Sequence, residues 1–422
     1  MMPLLKAQID KWRFGRYVRW YRTQRQLSLR EASRLVGLSH TYLNRIEHGN
    51  AIINDKSYEK LLKIIPETTH NENEFYSVFD HLVMLTQRVT LHMEMSRFDD
   101  ALKTFLAVEH NFSSHILWVD YKLYQMLLLH VYPKSLPTNH TTEINQLKAL
   151  LPIMNDAQKQ LCFLTHGAYL LFNGRFNLAC DQFNDALAIR HITQWNPLIN
   201  HLLGVSLSEL NLNSSAESIL RVAHQLCIQS NLFIPSVVNR IWRQLINFRM
   251  HYDLNAIDFN EAFAFAQRYE LIEMKNIIAF NHLIYYLRKM QYGDALKIID
   301  ILPVNHRTYY YNALCLMRLN KTEAALNIVF IALQNLPTEE SMTIYVKGLR
   351  CIQAHLMYPM IESHQYERAL HDFFMLSMAE YAMEENQFVY PLYRDFLKQQ
   401  RRYKDAYQVT RSINDHITEK GC

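Results

Sequence analysis

The chain has 422 residues, of which only 9 are glycine and 11 are proline. These two types make up about 5% of the chain, against about 12% in average proteins. Glycine-rich phosphate cradles and the closely spaced turns of β-sandwiches and barrels are therefore excluded. With 49% apolar and 20% charged residues, the composition indicates a globular, all-α protein.

Positive charge is concentrated at the N-terminus. Residues 1–60 contain twelve Lys/Arg and five Asp/Glu, a net charge of +7, whereas the whole chain carries +4. A basic head on a faintly acidic remainder is typical of a nucleic-acid-binding module joined to another domain.

The remaining bulk features exclude several classes of protein. The six cysteines are scattered and form no Cys-x-x-Cys pair, so we expect reduced thiols rather than disulfides or zinc ligands. The N-terminus lacks the apolar region of a signal peptide, and no apolar run reaches the roughly 18–20 residues that span a bilayer. We expect a cytoplasmic protein with no membrane partner. No catalytic or metal-binding motif stands out, so we expect no enzyme, no metal and no cofactor.

Two helices are predicted between residues 14 and 36. The first carries Phe14, Val18 and Tyr21 on one face. Ser28 followed by Glu31 is the capping-box pattern that begins a second helix. The residues of this helix that we expect to face inward are Leu29, Ala32, Leu35 and Val36.

A third short helix follows directly. Gly37 supplies a tight turn, Ser39 caps the next helix, and Gly49 ends it. Two short helices joined by a turn that contains glycine form a helix-turn-helix.

This segment resembles the Cro/phage-repressor (XRE) family over about residues 10–66. The resemblance is carried by residues at fixed spacings: Val18, Arg22, Leu27, Ser28, Ala32, Val36, Gly37, Ser39, Leu43, Ile46, Glu47 and Gly49. It implies that Arg22 and Glu47 form a structural ion pair and that residues 39–48 form the recognition helix.

The resemblance also implies which side chains meet DNA. The side chains expected to contact bases are His40, Thr41, Asn44 and Arg45. The groups expected to contact phosphates are Ser28, Ser39, Arg16, Arg19, Arg30 and Arg34.

The rest of the chain predicts a repeat array. Residues 1–66 form the predicted DNA-binding domain, residues 67–75 a polar linker, and residues 76–422 a repeat domain. In this last part a helical pattern recurs around alanines, with steps near the 34-residue period. These alanines are Ala101, Ala179, Ala216, Ala295, Ala325, Ala369 and Ala406.

The array resembles the tetratricopeptide family, which implies an α-solenoid with a concave wall. Three units match its small and large positions. They are Gly167, Leu170, Ala179, Phe183 and Ala186; Gly204, Leu207, Ala216, Leu220 and Ala223; and Ala313, Leu316, Ala325, Val329 and Ala332.

In such arrays the first helix of each pair lines the concave wall, where amides can bond a peptide backbone. The wall residues expected to bind a peptide are His201, Gln244, Asn247, His251, Asn281, Arg307 and Tyr310. For each of them, a solvated groove residue without a ligand is the alternative.

A repressor-type head on such a body resembles the RRNPP group of peptide-pheromone receptors. The resemblance implies a cytosolic, homodimeric transcriptional regulator that binds a double-stranded DNA operator and is controlled by a short signalling peptide. It also implies that residues 76–422 sense the peptide and form the dimer. Two alternatives remain: an interaction protein that dephosphorylates or sequesters a response regulator, and a ligand-independent repressor whose repeats only dimerise.

Overall fold

The computed structural model describes residues 11–65, 72–113, 117–131, 140–251, 257–334, 343–357, 364–379 and 383–419. Within these ranges the chain is helical and contains no strand, which confirms the predicted all-α class. The chain divides into two compact units, Met1–Asn247 and Phe248–Cys422. None of the described helices is both long enough and apolar enough to cross a membrane.

The first unit begins with a four-helix head, residues 11–65. Its helices are α1 (Lys11–Gln24), α2 (Leu29–Val36), α3 (His40–Glu47) and α4 (Asp55–Leu61). The Ser28 hydroxyl accepts from the Glu31 amide at 3.2 Å, and the Glu31 carboxylate accepts from the Ser28 amide at 2.7 Å. The predicted capping box therefore begins α2, and Gly37 ends it with a φ of 63°.

All four head helices contribute to one apolar core. Its buried members are Phe14, Tyr17, Val18, Ala32, Val36, Leu43, Ile46, Ala51, Leu61, Ile64 and Ile65. The expectation that Leu35 faces inward is wrong, because its side chain is 47% exposed. Ala32 and Val36 face the core four residues apart, and Leu35 lies on the flank of that stripe.

A helix array completes the first unit. Its helices are α5 (Glu72–Thr90), α6 (Phe98–Ser113), α7 (Trp118–Val131), α8 (Thr141–Ala149), α9 (Asp156–Phe172), α10 (Phe176–Ala188), α11 (Asn196–Glu209), α12 (Asn213–Gln229) and α13 (Phe233–His251). The boundary between the two units falls within α13, after Asn247. Of the predicted linker, residues 67–71 lie outside the described residues, and α5 begins at Glu72.

The second unit is a further array. Its helices are α14 (Phe259–Arg268), α15 (Ile272–Arg288), α16 (Tyr292–Ile299), α17 (His306–Arg318), α18 (Thr322–Gln334), α19 (Ile344–Met357), α20 (His364–Ala379), α21 (Met383–Gln399) and α22 (Tyr403–Glu419).

Small residues let neighbouring helices approach closely. A Cβ at Gly167 would lie 2.6 Å from the Phe183 ring, and one at Gly204 would lie 2.5 Å from Leu220 Cγ. Ala179, Ala186, Ala216, Ala223, Ala325 and Ala332 are all fully buried. The predicted pairing of α9 with α10 and of α11 with α12 therefore depends on small residues facing large ones.

The turns between helices repeat one backbone conformation with little glycine. Left-handed residues follow helices at Gly174, Asn211, Asn231, Glu270, Met290, Asn320 and Arg401. The amide of the next residue bonds back to the helix, as from Lys321 to the Leu316 carbonyl at 2.9 Å. This is the Schellman closure, which allows short connections between successive helices.

Candidate functional site

The recognition helix α3 presents its polar face to solvent. The Ser39 hydroxyl accepts from the Tyr42 amide at 3.2 Å and begins the helix, while Leu43 and Ile46 are buried in the head core. The four side chains predicted to contact bases, His40, Thr41, Asn44 and Arg45, are all exposed. The head therefore offers one short helix whose outer face is polar and uncovered within the first unit.

An ion pair fixes this helix against α1. Arg22 Nε lies 2.6 Å from Glu47 Oε1, and Arg22 Nη2 lies 2.9 Å from Glu47 Oε2. Arg22 Nη1 also donates to the Leu27 carbonyl at 2.7 Å. The structure thus brings together Arg22 and Glu47, the two residues predicted to pair. Because the Glu47 side chain is 2% exposed, the two parallel hydrogen bonds are shielded from water and hold α3 firmly.

A glycine on α1 brings the two backbones together. A Cβ at Gly15 would lie 2.5 Å from the Ile46 carbonyl oxygen and 2.9 Å from that of Glu47. Only glycine fits there without moving backbone, so α1 and the last turn of α3 are in direct contact.

Most residues predicted to contact phosphates lie at the head surface. Ser28 and Ser39 are exposed at the beginnings of α2 and α3, and Arg30 and Arg34 are exposed on α2. Helix N-termini and exposed guanidinium groups are both suitable phosphate ligands. Arg19 is half-buried; burial lowers its pKa, and the negative charge of Glu47, which is paired with Arg22, opposes that shift.

Arg16 is a correction to the predicted phosphate contacts. Its side chain is 0% exposed, and its Nη2 lies 3.6 Å from Asp120 Oδ2 on α7. Asp120 Oδ1 in turn accepts a hydrogen bond from Gln158 Nε2 on α9. Arg16 faces the array rather than solvent, so it cannot reach a phosphate in this conformation.

Arg16 and the residues four and eight positions after it lie along one side of α1, and this side joins the head to the first-unit array. Trp20, four residues after Arg16, meets Trp118 edge-on at a ring-centroid distance of 6.2 Å. Gln24, four residues further on, donates to Gln146 Oε1 at 3.1 Å. We call the stripe Arg16, Trp20 and Gln24 the joint stripe.

The first-unit residues predicted to bind a peptide differ in exposure. His201 is buried, and its Nδ1 donates to Asn239 Oδ1 at 3.0 Å. Burial lowers the pKa of His201 to about 4, and this hydrogen bond only partly opposes the shift. Gln244 and Asn247 are half-exposed on α13. His251, at the end of α13, belongs to the second unit, and its side chain lies outside the described residues.

Two predicted wall residues of the second unit are buried. Tyr310 is 0% exposed, with its ring centroid 5.9 Å from that of Phe373 and 6.0 Å from that of Tyr345. Asn281 is 3% exposed and accepts from Arg249 Nε at 3.0 Å. The expectation that Tyr310, Asn281 and, in the first unit, His201 line an open wall is wrong, because neighbouring helices cover them.

Arg307 is the exposed member of the second-unit set. Its guanidinium carbon lies 3.2 Å from the centroid of the Phe280 ring and 5.5 Å from that of Tyr345. We call Phe280, Arg307 and Tyr345 the aromatic bracket. Contact with the Phe280 ring restrains the guanidinium, and because Arg307 is exposed its N–H donors can reach an anion.

The sequence analysis missed a chain of buried amides in the first unit. Gln160 Nε2 donates to the Ile192 carbonyl at 2.8 Å and approaches Asn196 Oδ1 at 3.4 Å. Gln158, two residues earlier on α9, bonds Asp120. A polar residue within an apolar stretch was the only available signal, as with Asp120 inside the run Leu117–Leu123, and it does not identify a partner.

Comparisons with known proteins agree with this architecture. A family model described as a helix-turn-helix domain matches residues 13–65. A search of curated proteins by sequence found no match.

Three solved structures share the fold. The apo form of the quorum sensor NprR from B. thuringiensis aligns at 14% identity and a TM-score of 0.56, covering 82% of this chain and 99% of NprR. NprR in complex with its cognate peptide NprX aligns at 13% identity and a TM-score of 0.54, covering 83% and 99%. A Rap protein complexed with Competence and Sporulation Factor aligns at 11% identity and a TM-score of 0.61, covering 83% and 99%.

At these identities the similarity establishes the fold. The chain combines an N-terminal helix-turn-helix domain with the helical-repeat fold of NprR and Rap. The predicted fold, a helix-turn-helix head followed by an array of helices, is confirmed.

Proposed function

We propose that this protein is a non-enzymatic, cytosolic transcriptional regulator whose affinity for operator DNA is set by a short peptide bound to its repeats. The observation that carries the proposal is the orientation of the head. The joint stripe of α1 faces the array, whereas the four candidate base-contacting side chains of α3 face solvent.

The DNA-binding part of the proposal follows from the exposed face of α3. In the proposed complex this face enters the major groove, where Arg45 can bond a guanine and Asn44 an adenine, each with two hydrogen bonds. Arg45 lies in the last turn of α3, and its Nη2, which donates to the Asn50 carbonyl at 3.1 Å, would exchange that contact for the base. Arg30 and Arg34, with the N-termini of α2 and α3, neutralise the flanking phosphates. Such contacts make binding both sequence-specific and salt-dependent.

The peptide part is supported by accessible polar groups in each unit. Gln244 and Asn247 are half-exposed in the first unit, and their amides can bond both N–H and C=O groups of an extended backbone. In the second unit the aromatic bracket holds Arg307 ready for a peptide carboxylate. The fold is shared with an NprR structure that contains a peptide.

A continuous set of contacts in the first unit supports coupling to DNA. Asn196 begins α11, the helix that also carries His201, and it lies against Gln160 of α9. The same helix holds Gln158, which bonds Asp120, the partner of Arg16 in α1. Movement of α11 on peptide binding would therefore reach the joint stripe through α9. A coupling free energy of about 1–3 kcal/mol is usual for such two-state devices.

In a homodimer, this coupling would alter the separation of two heads. Half-sites on DNA lie about 34–36 Å apart or at a multiple of that distance, so a modest change in head spacing switches operator binding.

The DNA-binding proposal is tested by comparing Arg45→Ala with Arg34→Ala on an operator selected in vitro from random duplexes. We expect Arg45→Ala to cost about 1–3 kcal/mol on the selected operator and little on random DNA. Arg34→Ala should weaken both and reduce the salt slope by about one. If both variants bind the operator like the wild type, α3 is not the reading helix.

The peptide proposal is tested with short peptides encoded by small reading frames next to the gene. Calorimetry on the full chain should find a peptide that binds and changes operator affinity, and Arg307→Ala should weaken it. Lys321→Ala, an exposed cation in the same unit, is the matched control. A chain that binds its operator but responds to no such peptide would be a ligand-independent repressor.

The shared fold with Rap supports a second candidate, an interaction protein that acts on a response regulator. Phosphate release from a phosphorylated receiver domain, or a stable complex with it, would favour this candidate. If neither phosphate release nor a complex is observed and the chain binds its operator, the peptide-controlled transcriptional regulator is favoured.

A further inference from the structure

The second unit contains a cleft that the proposed function does not use. It lies between α19 and α20 and has a volume of about 400 Å³. Its polar lining consists of Lys347, Arg350, Gln353, Gln365, Arg368 and Asp372. Sites for small ligands commonly enclose about 300–1,000 Å³, so the cleft is large enough for a few residues of a peptide.

The cleft carries excess positive charge. Lys347 Nζ lies 3.0 Å from Asp372 Oδ2, and this pair is partly buried. Arg350 and Arg368 are exposed, one on each wall, and neither forms an ion pair with any described residue. One carboxylate thus stands against three cations, and two guanidinium groups remain available to a ligand.

This cleft is separate from the aromatic bracket. Tyr345 of the bracket precedes Lys347 by two residues, which is about 200° around an α-helix. Lys347, Arg350 and Ala354 follow one another at helical spacing on the other side of α19. The two cationic sites therefore face different directions from the same helix.

We infer that this cleft binds an acidic peptide segment of a partner protein. Arg350 and Arg368 can each hold a carboxylate with two parallel hydrogen bonds. Gln353 and Gln365 supply amides that match both N–H and C=O groups of a peptide backbone.

The remaining lining favours a peptide over a nucleic acid. Ala354, Ala369 and Met357 give the cleft an apolar part, and methionine adapts its shape to varied side chains. Asp372 can accept a hydrogen bond from a peptide N–H, whereas the phosphate groups of a nucleic acid carry no donor for it. The inference goes beyond the proposed function and does not depend on it.

The test uses the full chain and an eight-residue peptide of alternating glutamate and alanine, acetylated and amidated at its ends. Calorimetry at low ionic strength should detect binding, and the peptide with glutamine in place of glutamate should bind at least about tenfold more weakly. The double variant Arg350→Glu/Arg368→Glu should also weaken glutamate-peptide binding at least about tenfold. Both arginines are exposed, so thermal unfolding should be unchanged.

A charge-matched variant separates a built cleft from general attraction. Lys321→Glu/Lys404→Glu alters two exposed cations of the same unit that do not line the cleft, and it should leave peptide affinity unchanged. Equal losses in both double variants, or no binding by the wild type, would overturn the inference. So would displacement of the peptide by inorganic phosphate at equal concentration, which would indicate a simple anion site.

Operator binding provides the last arm of the test. We expect Arg350→Glu/Arg368→Glu to bind operator DNA like the wild type. Reduced DNA affinity would assign the cleft to nucleic acid and overturn the peptide inference, whereas failure of the wild type to bind DNA would affect only the proposed function.

Discussion

The head and the arrays place their polar residues in opposite ways. In the head, the candidate DNA-contacting side chains of α3 are exposed on a helix of only eight residues, and the buried polar residue Glu47 serves to fix that helix. In the arrays, polar residues of the expected wall, such as His201 and Asn281, are buried and bonded to neighbouring helices. A short helix that contacts DNA bases needs a solvent-exposed face, whereas each helix of an array is partly covered by its neighbours. Polar residues in an array are therefore more often structural than those of the head.

The largest expected effect concerns the joint where the two regions meet. Arg16→Ala removes the cation from Asp120, which is itself buried. Breaking one side of a buried pair typically costs about 3–5 kcal/mol. Urea denaturation of the full chain should show this loss in the free energy of unfolding.

Two variants check the origin of that effect. Arg30→Ala, at an exposed position of the head, should change stability by less than about 0.5 kcal/mol. The double variant Arg16→Met/Asp120→Asn should recover part of the loss, because no charge remains buried. If the double variant is as unstable as the sum of the single ones, the pair contributes nothing to the joint.

Glycine contacts give the next effect and distinguish rigid from yielding neighbours. At Gly15 an added Cβ meets backbone oxygens of α3, whereas at Gly204 it meets the Leu220 side chain. We expect Gly15→Ala to cost about 3 kcal/mol and Gly204→Ala about 1–2 kcal/mol, because the buried Leu220 side chain can shift at a cost whereas the backbone carbonyls of α3 cannot move without distorting that helix.

Gly293→Ala is the control, because nothing lies within 4 Å of its added Cβ; it should be neutral or stabilising. Hydrogen exchange resolved by segment would detect the loss of protection at α1 and α3 in Gly15→Ala. Equal protection in both glycine variants would contradict the difference drawn between the two contacts.

A smaller effect tests the buried histidine of the array through pH. Burial holds the pKa of His201 at about 4, below the roughly 6.5 of an unfolded histidine. The unfolded chain therefore binds the proton first, so stability is full above pH 6.5 and is lost as the pH falls towards 4. The slope from one such group is at most about 1.4 kcal/mol per pH unit.

The measurement compares unfolding free energies of wild type and His201→Gln between pH 7 and 4. The variant should show a shallower pH dependence by this amount, whereas His92→Gln, an exposed histidine, should keep the wild-type slope. An unchanged slope in His201→Gln would show that His201 takes up protons equally in both states.

The smallest effect concerns the turns. Met290 holds a φ of 56° in an exposed turn, a conformation that costs a side-chain-bearing residue about 1–2 kcal/mol. Met290→Gly should raise the unfolding midpoint by about 1–2 °C. Gly174→Ala, at the equivalent turn with a φ of 70°, should lower it. Shifts of the same sign in both would refute the strain argument.

Local patterns predicted the fold well where neighbours in sequence determine the structure. The Ser28–Glu31 capping box and the Gly37 turn depend on residues within one helix turn, and both are present. Gly167 and Ala179 are buried as expected, because a repeat places its small residues by spacing alone.

Exposure was harder to predict, because it depends on distant partners. Arg16 resembles the other head arginines in sequence, yet it is buried, and its ion-pair partner Asp120 on α7 is more than a hundred residues away along the chain. Tyr310 occupies a wall position by register, yet a later helix carrying Phe373 packs over it. The amides Gln158 and Gln160 carry no spacing signal at all. The burial of residues that pack between distant helices was thus harder to predict than the features that form a single helix.

The double use of α1 has a consequence for protein engineering. One side of this helix supports the recognition helix through Gly15 and Arg22, and another, through Arg16 and Trp20, is buried against the array. A chimera that carries this head on an unrelated repeat domain would expose Trp20 and Arg16, which are buried in this protein. Successful transplants would have to bring the matching patch of α7 with them.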